Sequence, residues 1–169
     1  MVCCPVDVII NDSKFGFIKP LGFKADEYIS ILNNKDIRKH FTAAKDVEDI
    51  TDEEFNKKVY SSSKEGCTII AITNREDNLI TDTIGLIKII KRAEKSAEVS
   101  ITLKQEVQHK GYGTYCMSRL IEWLYVEEGI SNIHARCFTT DNVAGEFLKK
   151  CGFELNSMAD GTFYFKYSR

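Results

Sequence analysis

The stretch Gln108–Gly113 constrains the fold most, because two glycines join a strand pattern to a helix pattern there. Apolar and polar residues alternate over Ala97–Leu103, as they do in a half-buried strand. From Met117 to Leu124 the apolar residues follow the i, i+3, i+4, i+7 spacing of a helix. A helix that begins at such a turn leaves backbone N–H groups free at its positive end. The sequence therefore predicts an anion site, and a diphosphate suits it.

The residues that follow the glycine turn bear on three alternatives to a diphosphate site. A dinucleotide-binding fingerprint needs a third glycine where this chain has Cys116. A P-loop needs Lys and then Ser or Thr closing the turn, but Thr114 and Tyr115 follow Gly113. An ordinary strand-to-helix turn without a ligand fits the loop pattern as well. The motif alone leaves the ligand open.

The size and charge of the chain limit its partners. With 169 residues we expect a single domain over residues 1–169, long enough to bury a sizeable core. The formal net charge is −2. Without a basic excess to neutralise phosphates, we expect no nucleic-acid partner and no anionic membrane surface as partner.

Cysteine and histidine usage predicts a reducing compartment and no metal. The six cysteines include no Cys-x-x-Cys, and the three histidines have no zinc-binding spacing. Scattered cysteines in apolar surroundings act as small hydrophobic residues. We find no signal-peptide pattern and no apolar run of membrane-spanning length, so we expect a cytoplasmic protein. Lipid attachment at Cys3 or Cys4 is left open.

Hydrophobic periodicity predicts alternating strands and helices, typical of a mixed α/β protein. The predicted strands cover Val6–Ile10, Phe15–Ile18, Cys67–Ile72, Ile84–Ile90, Ala97–Leu103, Ile133–Phe138, Phe153–Leu155 and Phe163–Tyr167. Polar residues predict a turn at Asn74–Asn78 and a hairpin tip at Lys91–Lys95. The predicted helices cover Ala25–Leu32, Asp36–Phe41, a segment after the capping box Thr51–Glu54, a segment from the glycine turn to Gly129, and one capped by Asp141 or Thr140.

These residues resemble the GNAT superfamily of acetyl-CoA-dependent N-acetyltransferases over residues 6–168. Gln108–Gly113 fits the family's (Gln/Arg)-x-x-Gly-x-(Gly/Ala) loop, and Ala97–Leu103 looks like its fourth strand. Asp141–Phe153 looks like its last helix with the following Gly-Phe. Leu32–Phe41 is similar to the first helical hairpin of the RimJ/RimL subgroup.

The resemblance implies a fold and a coenzyme site. The fold is a central mixed, mostly antiparallel sheet of about seven strands flanked by about four helices, with segments 98–104 and 133–138 splayed apart. The pantetheine arm of coenzyme A would pair with the fourth strand in that gap, and the diphosphate would bind the glycine turn. The implied coenzyme-binding residues are Ile101, Thr102, Leu103, Gln108, His109, Lys110, Gly111, Tyr112, Gly113, Thr114 and Asn142. Asn142 could instead be a helix N-cap.

The implied reaction is direct attack of a primary amine on the acetyl thioester. Glu98 matches a position where the family often has an acidic residue acting through water, so it is the candidate general base. The alternative is a cross-strand pair with Lys88 or a neighbour, and His134 ranks second as base. Leu148 and Gly145 occupy the positions of the family's usual tyrosine and serine acids. Cys151 and Tyr112 are the possible substitutes.

The acceptor stays open at this point. A protein N-terminal or lysine amine, a small amine and a polyamine all fit, and the acids in residues 46–54 could attract a cationic one. Without the usual acid, the chain could also be a coenzyme A-binding regulatory module without turnover. A nucleotide-binding α/β domain is a third possibility. Both a monomer and a homodimer are compatible with the sequence.

Overall fold

A central mixed sheet with helices on both faces forms the protein, in a computed structural model that describes residues 6–40, 48–62, 66–76 and 79–168. The strands are β1 (Val8–Ile10), β2 (Phe15–Ile18), β3 (Cys67–Glu76), β4 (Leu79–Ala93), β5 (Ser96–Leu103), β6 (Asn132–Phe138), β7 (Phe153–Ala159) and β8 (Thr162–Tyr167). The α-helices are α1 (Ala25–Leu32), α2 (Lys35–Arg38), α3 (Asp52–Ser62), α4 (Tyr112–Val126) and α5 (Asn142–Lys150). Short 3-10 turns cover Gly22–Lys24 and Gln105–Val107.

The strand order is β1-β2-β3-β4-β5-β6-β8-β7, and every pairing is antiparallel except that of β5 with β6. Helix α4 connects β5 to β6, as a parallel pair requires a crossover connection. This confirms the mixed, mostly antiparallel architecture that the resemblance implies.

Two apolar clusters pack the helices onto opposite faces of the sheet. The larger cluster joins odd-numbered residues of β5, such as Ala97 and Val99, to Met117 and Leu120 of α4. The smaller joins Leu86 of β4 to α1 and α3. Successive side chains of a strand point to opposite faces, so the polar residues of β5 lie on the α1/α3 side. No helix in the described ranges is long and apolar enough to cross a membrane.

The described residues form eight strands and five α-helices, the numbers of segments that periodicity predicts, where the resemblance implies about seven strands and about four helices. The first two strand segments pair with each other as separate strands, because a turn at Asp12 reverses the chain between them. The second helix is only Lys35–Arg38, shorter than the predicted Asp36–Phe41, and Phe41 lies outside the described residues. The capping box is confirmed, with Glu54 N–H donating to Thr51 Oγ1 at 3.3 Å.

The predicted turn at Asn74–Asn78 is wrong for its first three residues. Strand β3 continues through Glu76, which pairs with Leu79 of β4, while Asp77 and Asn78 lie outside the described residues. Asn74 pairs with Phe15 of β2, while Arg75 and Glu76 pair with β4, so strand partners satisfy the backbone here despite the polar sequence. The predicted hairpin tip Lys91–Lys95 is also too long, since Ala93 still pairs with Ser96.

Asp12 anchors the N-terminal hairpin to helix α4. One carboxylate oxygen accepts from the N–H groups of Lys14 and Phe15 at 2.8 and 2.9 Å. The other accepts from the Tyr115 hydroxyl at 2.8 Å and from Arg119 Nε at 2.9 Å. Burial opposes ionisation of Asp12, but these four donors outweigh it and lower its pKa below the ordinary 3.8.

Replacing Asp12 by Asn should destabilise the fold by about 1.5–3 kcal/mol at pH 7, because hydrogen bonds to a charged acceptor are lost. A lowered native pKa stabilises the protein above the unfolded pKa, and that stabilisation is lost as the pH falls through the native value. Urea unfolding at pH 7 and near pH 3 checks this, since the difference between wild type and Asp12→Asn should shrink in acid. An equal difference at both pH values would contradict it.

Candidate functional site

A gap opens in the sheet between β5 and β6. The parallel pairing covers only Ser96 to Glu98 on β5, opposite Asn132 to His134 on β6. Both strands then continue, β5 to Leu103 and β6 to Phe138, but no further residue of one strand pairs with a residue of the other. The implied splaying of 98–104 from 133–138 is therefore confirmed beyond Glu98 and His134, which still pair with each other.

The unpaired backbone groups of β5 point into this gap. Asn132 N–H donates to Lys95 O at 2.9 Å, so odd-numbered residues of β5 turn their backbone groups toward β6. On the opposite edge of β5, Lys104 N–H donates to Ile84 O of β4 at 2.9 Å, so even-numbered residues turn their backbone groups toward β4. Ile101 and Leu103 therefore present backbone groups to the gap. A ligand carrying amides can complete this ladder.

The turn before α4 leaves a set of free backbone donors. Gly111 is the N-cap, with φ +79° and no side-chain cap, and the first helical bond runs from Tyr115 N–H to Gly111 O at 3.1 Å. The N–H groups of Tyr112, Gly113 and Thr114 thus precede the first intrahelical bond and lie at the positive end of the dipole. The turn therefore has the arrangement of backbone donors that the predicted anion site requires.

The same turn is shaped to bring a ligand close to the backbone. An added Cβ at Gly111 would meet no heavy atom within 4 Å, so its outer side is open. At Gly113 an added Cβ would lie 3.1 Å from Phe147 Cε2 and 3.4 Å from Leu103 Cδ1, so this glycine serves helix packing. The Gln108 side chain closes the turn, donating from Nε2 to Leu103 O at 2.9 Å. These features fit an extended arm that ends in a diphosphate.

The remaining residues of the predicted coenzyme site divide between loop and helix. His109 and Lys110 are exposed on the turn, and His109 adopts a positive φ of 58°. Asn142 is the first residue of α5, and its side chain is exposed. The N-cap of this helix is Asp141, which accepts from Ala144 N–H at 3.0 Å. The alternative of Asn142 as the cap is therefore wrong.

Asp141 also holds a residue that sequence reasoning did not select. Its second carboxylate oxygen lies 2.5 Å from His40 Nδ1, across 101 positions of the chain. His40 follows α2 and lines the cleft at the gap. One carboxylate thus caps α5 and ties the first helical hairpin to it.

The candidate base Glu98 is held in ion pairs. Its Oε2 lies 2.8 Å from Arg92 Nη2 and its Oε1 lies 3.0 Å from Arg136 Nε. The expected cross-strand partner Lys88 instead lies opposite Ser100. Glu98 lines the cleft, whereas His134 is not among the lining residues. A water or an amine must compete with two guanidinium groups for the Glu98 oxygens.

The substitutes considered for the general acid lie away from the cleft. Burial raises the pKa of the Cys151 thiol to about 11, and the Tyr112 ring packs against Phe15 with centroids 5.1 Å apart. Neither lines the cleft, but Cys137 of β6 does. Its Sγ is 3.8 Å from where a Cβ on Gly145 would lie. The alternation of apolar and polar residues along β6 is the sequence signal that could have placed Cys137 on the inward face of this strand.

The cleft has a volume of about 540 Å³ and carries more positive than negative side chains. The charged residues that line it are Lys58, Lys88, Glu98 and Arg136. Sequence reasoning missed the three cations, although Lys88 interrupts an apolar strand run.

The acids of residues 46–54 have other contacts. Asp49 Oδ1 lies 2.8 Å from Arg38 Nη1, and Glu54 accepts from Thr51 N–H at 2.9 Å in the capping box. Of residues 48–54, only Ile50 lines the cleft, and Asp46 lies outside the described residues. The described acids therefore do not form the cleft wall.

The profile described as "Acetyltransferase (GNAT) domain" matches residues 18–154. The match spans most of the chain, which therefore belongs to the GNAT acetyltransferase family. No curated protein sequence matches the chain significantly.

Solved structures share the fold at low sequence identity. An acetyltransferase of the GNAT family from Bacillus anthracis is 14% identical with a TM-score of 0.76, covering 94% of this chain and 97% of that one. Spermidine N-acetyltransferase from Vibrio cholerae, in complex with CoA and spermine, is 14% identical with a TM-score of 0.75, covering 92% and 94%. The microcin C7 self-immunity acetyltransferase MccE, in complex with acetyl-CoA and AMP, is 19% identical with a TM-score of 0.71, covering 94% of both chains.

The double role of Asp141 predicts different effects for two substitutions. Asp141→Ala should cost about 0.5–2 kcal/mol through loss of the helix cap. Asp141→Ser should keep the cap but lose the carboxylate that holds His40, so stability recovers while the amides of residues 35–40 still exchange faster. Urea unfolding and amide hydrogen exchange measure the two effects. Exchange at 35–40 that equals wild type in both variants would show that the contact with His40 does not order this segment.

Proposed function

We propose that the protein is a single-domain, acetyl-CoA-dependent N-acetyltransferase of the RimJ/RimL type, acting on a primary amine in a ternary complex. The observation that carries this proposal is the gap beyond Glu98 and His134, which continues into the free amides of residues 112–114. Similar structures with CoA or acetyl-CoA bound support the choice of coenzyme. Bound acetyl-CoA would supply an acetyl thioester that is open to attack by an amine.

The chain's own residues would hold that substrate at both ends of the gap. Ile101 and Leu103 offer backbone groups to the amides of the pantetheine arm. The N–H groups of residues 112–114 face the diphosphate, and each helix-terminus contact contributes about 0.3–1 kcal/mol, or up to about 2 when partly buried. Lys110 adds a positive charge beside the turn. Alignment of the two reactants can lower the barrier by about 7–11 kcal/mol, so positioning is the main contribution.

The acceptor amine must be neutral when it attacks. For a lysine or polyamine with a pKa of about 10.4, deprotonation at pH 7 costs about 4.6 kcal/mol, whereas an α-amine with a pKa near 8 costs only about 1.4 kcal/mol. The proposal therefore favours an α-amine of a protein or peptide, or a small amine. Polyamines form a second candidate class, because one similar structure is a spermidine N-acetyltransferase.

Glu98 is the proposed general base, accepting the amine proton through a water. It lines the cleft from the polar face of β5. The ion pairs with Arg92 and Arg136 keep its carboxylate at a defined place in the cleft. One of these pairs must yield to the water when the proton moves.

Bulky side chains at Gly111 should weaken coenzyme A binding about ten- to a hundredfold, because they occupy the open side of the turn where the diphosphate contacts the amides. Gly111→Leu is measured by calorimetry with coenzyme A. Gly129→Leu is the matched control, since Gly129 also has a positive φ (66°) and open space, but at the other end of α4. Unchanged affinity in a folded Gly111→Leu protein would refute the coenzyme site.

Glu98→Gln should lower kcat by about 10²–10⁴-fold and leave a pH–rate profile set by the acceptor amine alone, because the amide cannot accept the proton. The control is Glu94→Gln at the exposed tip of the β4–β5 hairpin. A Glu98→Gln protein with an unchanged pH–rate profile would rule out this role.

The apolar residues at the usual acid positions favour one other function, a coenzyme A-binding module without turnover. Leu148 is 5% exposed and, like Gly145, has no proton to donate. Incubation with acetyl-CoA and a panel of peptides, spermidine and small amines separates the two functions. Coenzyme binding without release of free thiol on any acceptor would support the module. Tight binding of NAD or ATP, without binding of coenzyme A, would instead indicate a nucleotide-binding domain.

A further inference from the structure

From the charges of the acceptor cleft, we infer that the acceptor is a primary amine that also carries an anionic group, a carboxylate or a phosphate. This inference rests on the proposed acetyl transfer and names its substrate class. It begins from the three cationic side chains Lys58, Lys88 and Arg136, which come from α3, β4 and β6 and line one cleft. With one lining carboxylate, Glu98, the cleft has a net charge of +2 when His40 is neutral.

The carboxylate of Glu98 cannot offset the two lysines. Both of its oxygens already lie within 3.0 Å of a guanidinium nitrogen, one from Arg136 and one from Arg92. Lys58 and Lys88 form no ion pair with any residue of the described ranges. Within the described residues, both lysines therefore line the cleft without a counter-ion.

The two lysines are placed by the elements that carry them. Lys58 lies one helical turn after Phe55, which is 2% exposed in the smaller apolar cluster, so both share the face of α3 that covers the sheet. Lys88 lies opposite Ser100 on the same face of the sheet as Glu98. Lys58 is exposed and Lys88 is partly buried, so the charged ends of both side chains are accessible to a ligand in the cleft.

These lysines do not belong to the diphosphate site. None of residues 108–114 lines the cleft, and the free amides of that turn lie beyond the end of β5. Ile101 and Thr102 of the predicted coenzyme site also line the cleft, so its positive side chains lie where the coenzyme arm and the acceptor would meet, away from the diphosphate turn.

A cleft of one charge sign attracts ligands of the opposite sign and repels like charge. An amine with a nearby anion is attracted by Lys58 and Lys88, and its neutral amine is free to attack. A polyamine brings two or more further positive charges into the same cleft. The charge therefore selects against polyamines and lysine-rich peptides.

The test compares tripeptides with amidated C-termini, so that the central side chain supplies the only charge besides that of the α-amine. We expect kcat/KM for transfer to Ala-Glu-Ala to exceed that for Ala-Lys-Ala by at least about tenfold, with Ala-Gln-Ala between them. Aminoethyl phosphate, compared with the acidic peptide, distinguishes phosphate from carboxylate as the favoured anion. Rising salt should raise KM for the acidic peptide and lower it for the lysine peptide.

The variants Lys58→Met and Lys88→Met keep the apolar stems and remove the charges. Together they should abolish the preference for the acidic peptide while coenzyme A affinity stays unchanged. Lys95→Met, at the exposed hairpin tip, is the control and should keep the preference. If Ala-Lys-Ala or spermidine is used as well as Ala-Glu-Ala, the inference is wrong although acetyl transfer stands.

A complete lack of transfer would refute the proposed function and leave the charge selection measurable. Calorimetry with the N-acetylated forms of the three peptides, in the presence of coenzyme A, then measures the cleft directly. Tighter binding of the acidic peptide that disappears in the double lysine variant supports the anionic ligand. Equal binding of all three peptides overturns it.

Discussion

The early end of the β5–β6 pairing shapes the rest of the molecule. A backbone amide or carbonyl left without a partner costs free energy unless water or a ligand satisfies it. Because the ladder stops at Glu98 and His134 while both strands continue, the sheet contains a slot with backbone groups along one wall. The helix that starts just beyond this slot adds free amides at its end. Family membership and this slot point to the same coenzyme arrangement.

The two ends of the candidate site carry positive potential from different sources. At the turn it comes from backbone amides and the helix dipole, which side-chain substitution hardly changes. In the cleft it comes from Lys58 and Lys88, each of which one substitution removes. Coenzyme binding and acceptor choice are therefore separable, and variants of one part leave the other as an internal control.

Patterns that depend on neighbouring residues were predicted well. The glycine turn, the helix after it and the capping box at Thr51 all follow from local hydrogen bonding, which a short stretch of sequence encodes. The polar run at Asn74 was misread, because pairing with β2 at Asn74 and with β4 at Arg75 and Glu76 overrides a local turn preference. The cap of α5 was predicted as Asp141 or Thr140, and Asp141 accepts from Ala144 N–H, so the alternative of Asn142 as the cap was wrong.

What the chain encodes locally is the class of fold, the order of its elements and the glycine turn before α4, since each arises from hydrophobic period or turn chemistry within about 15 residues. Contacts between distant segments are a different matter. The bond from His40 to Asp141 spans 101 positions, and the cleft unites Lys58, Lys88 and Arg136 from three elements. No periodicity relates such residues, because their proximity depends on how strands pair and helices pack. The charge of the acceptor cleft is therefore a property of the folded chain.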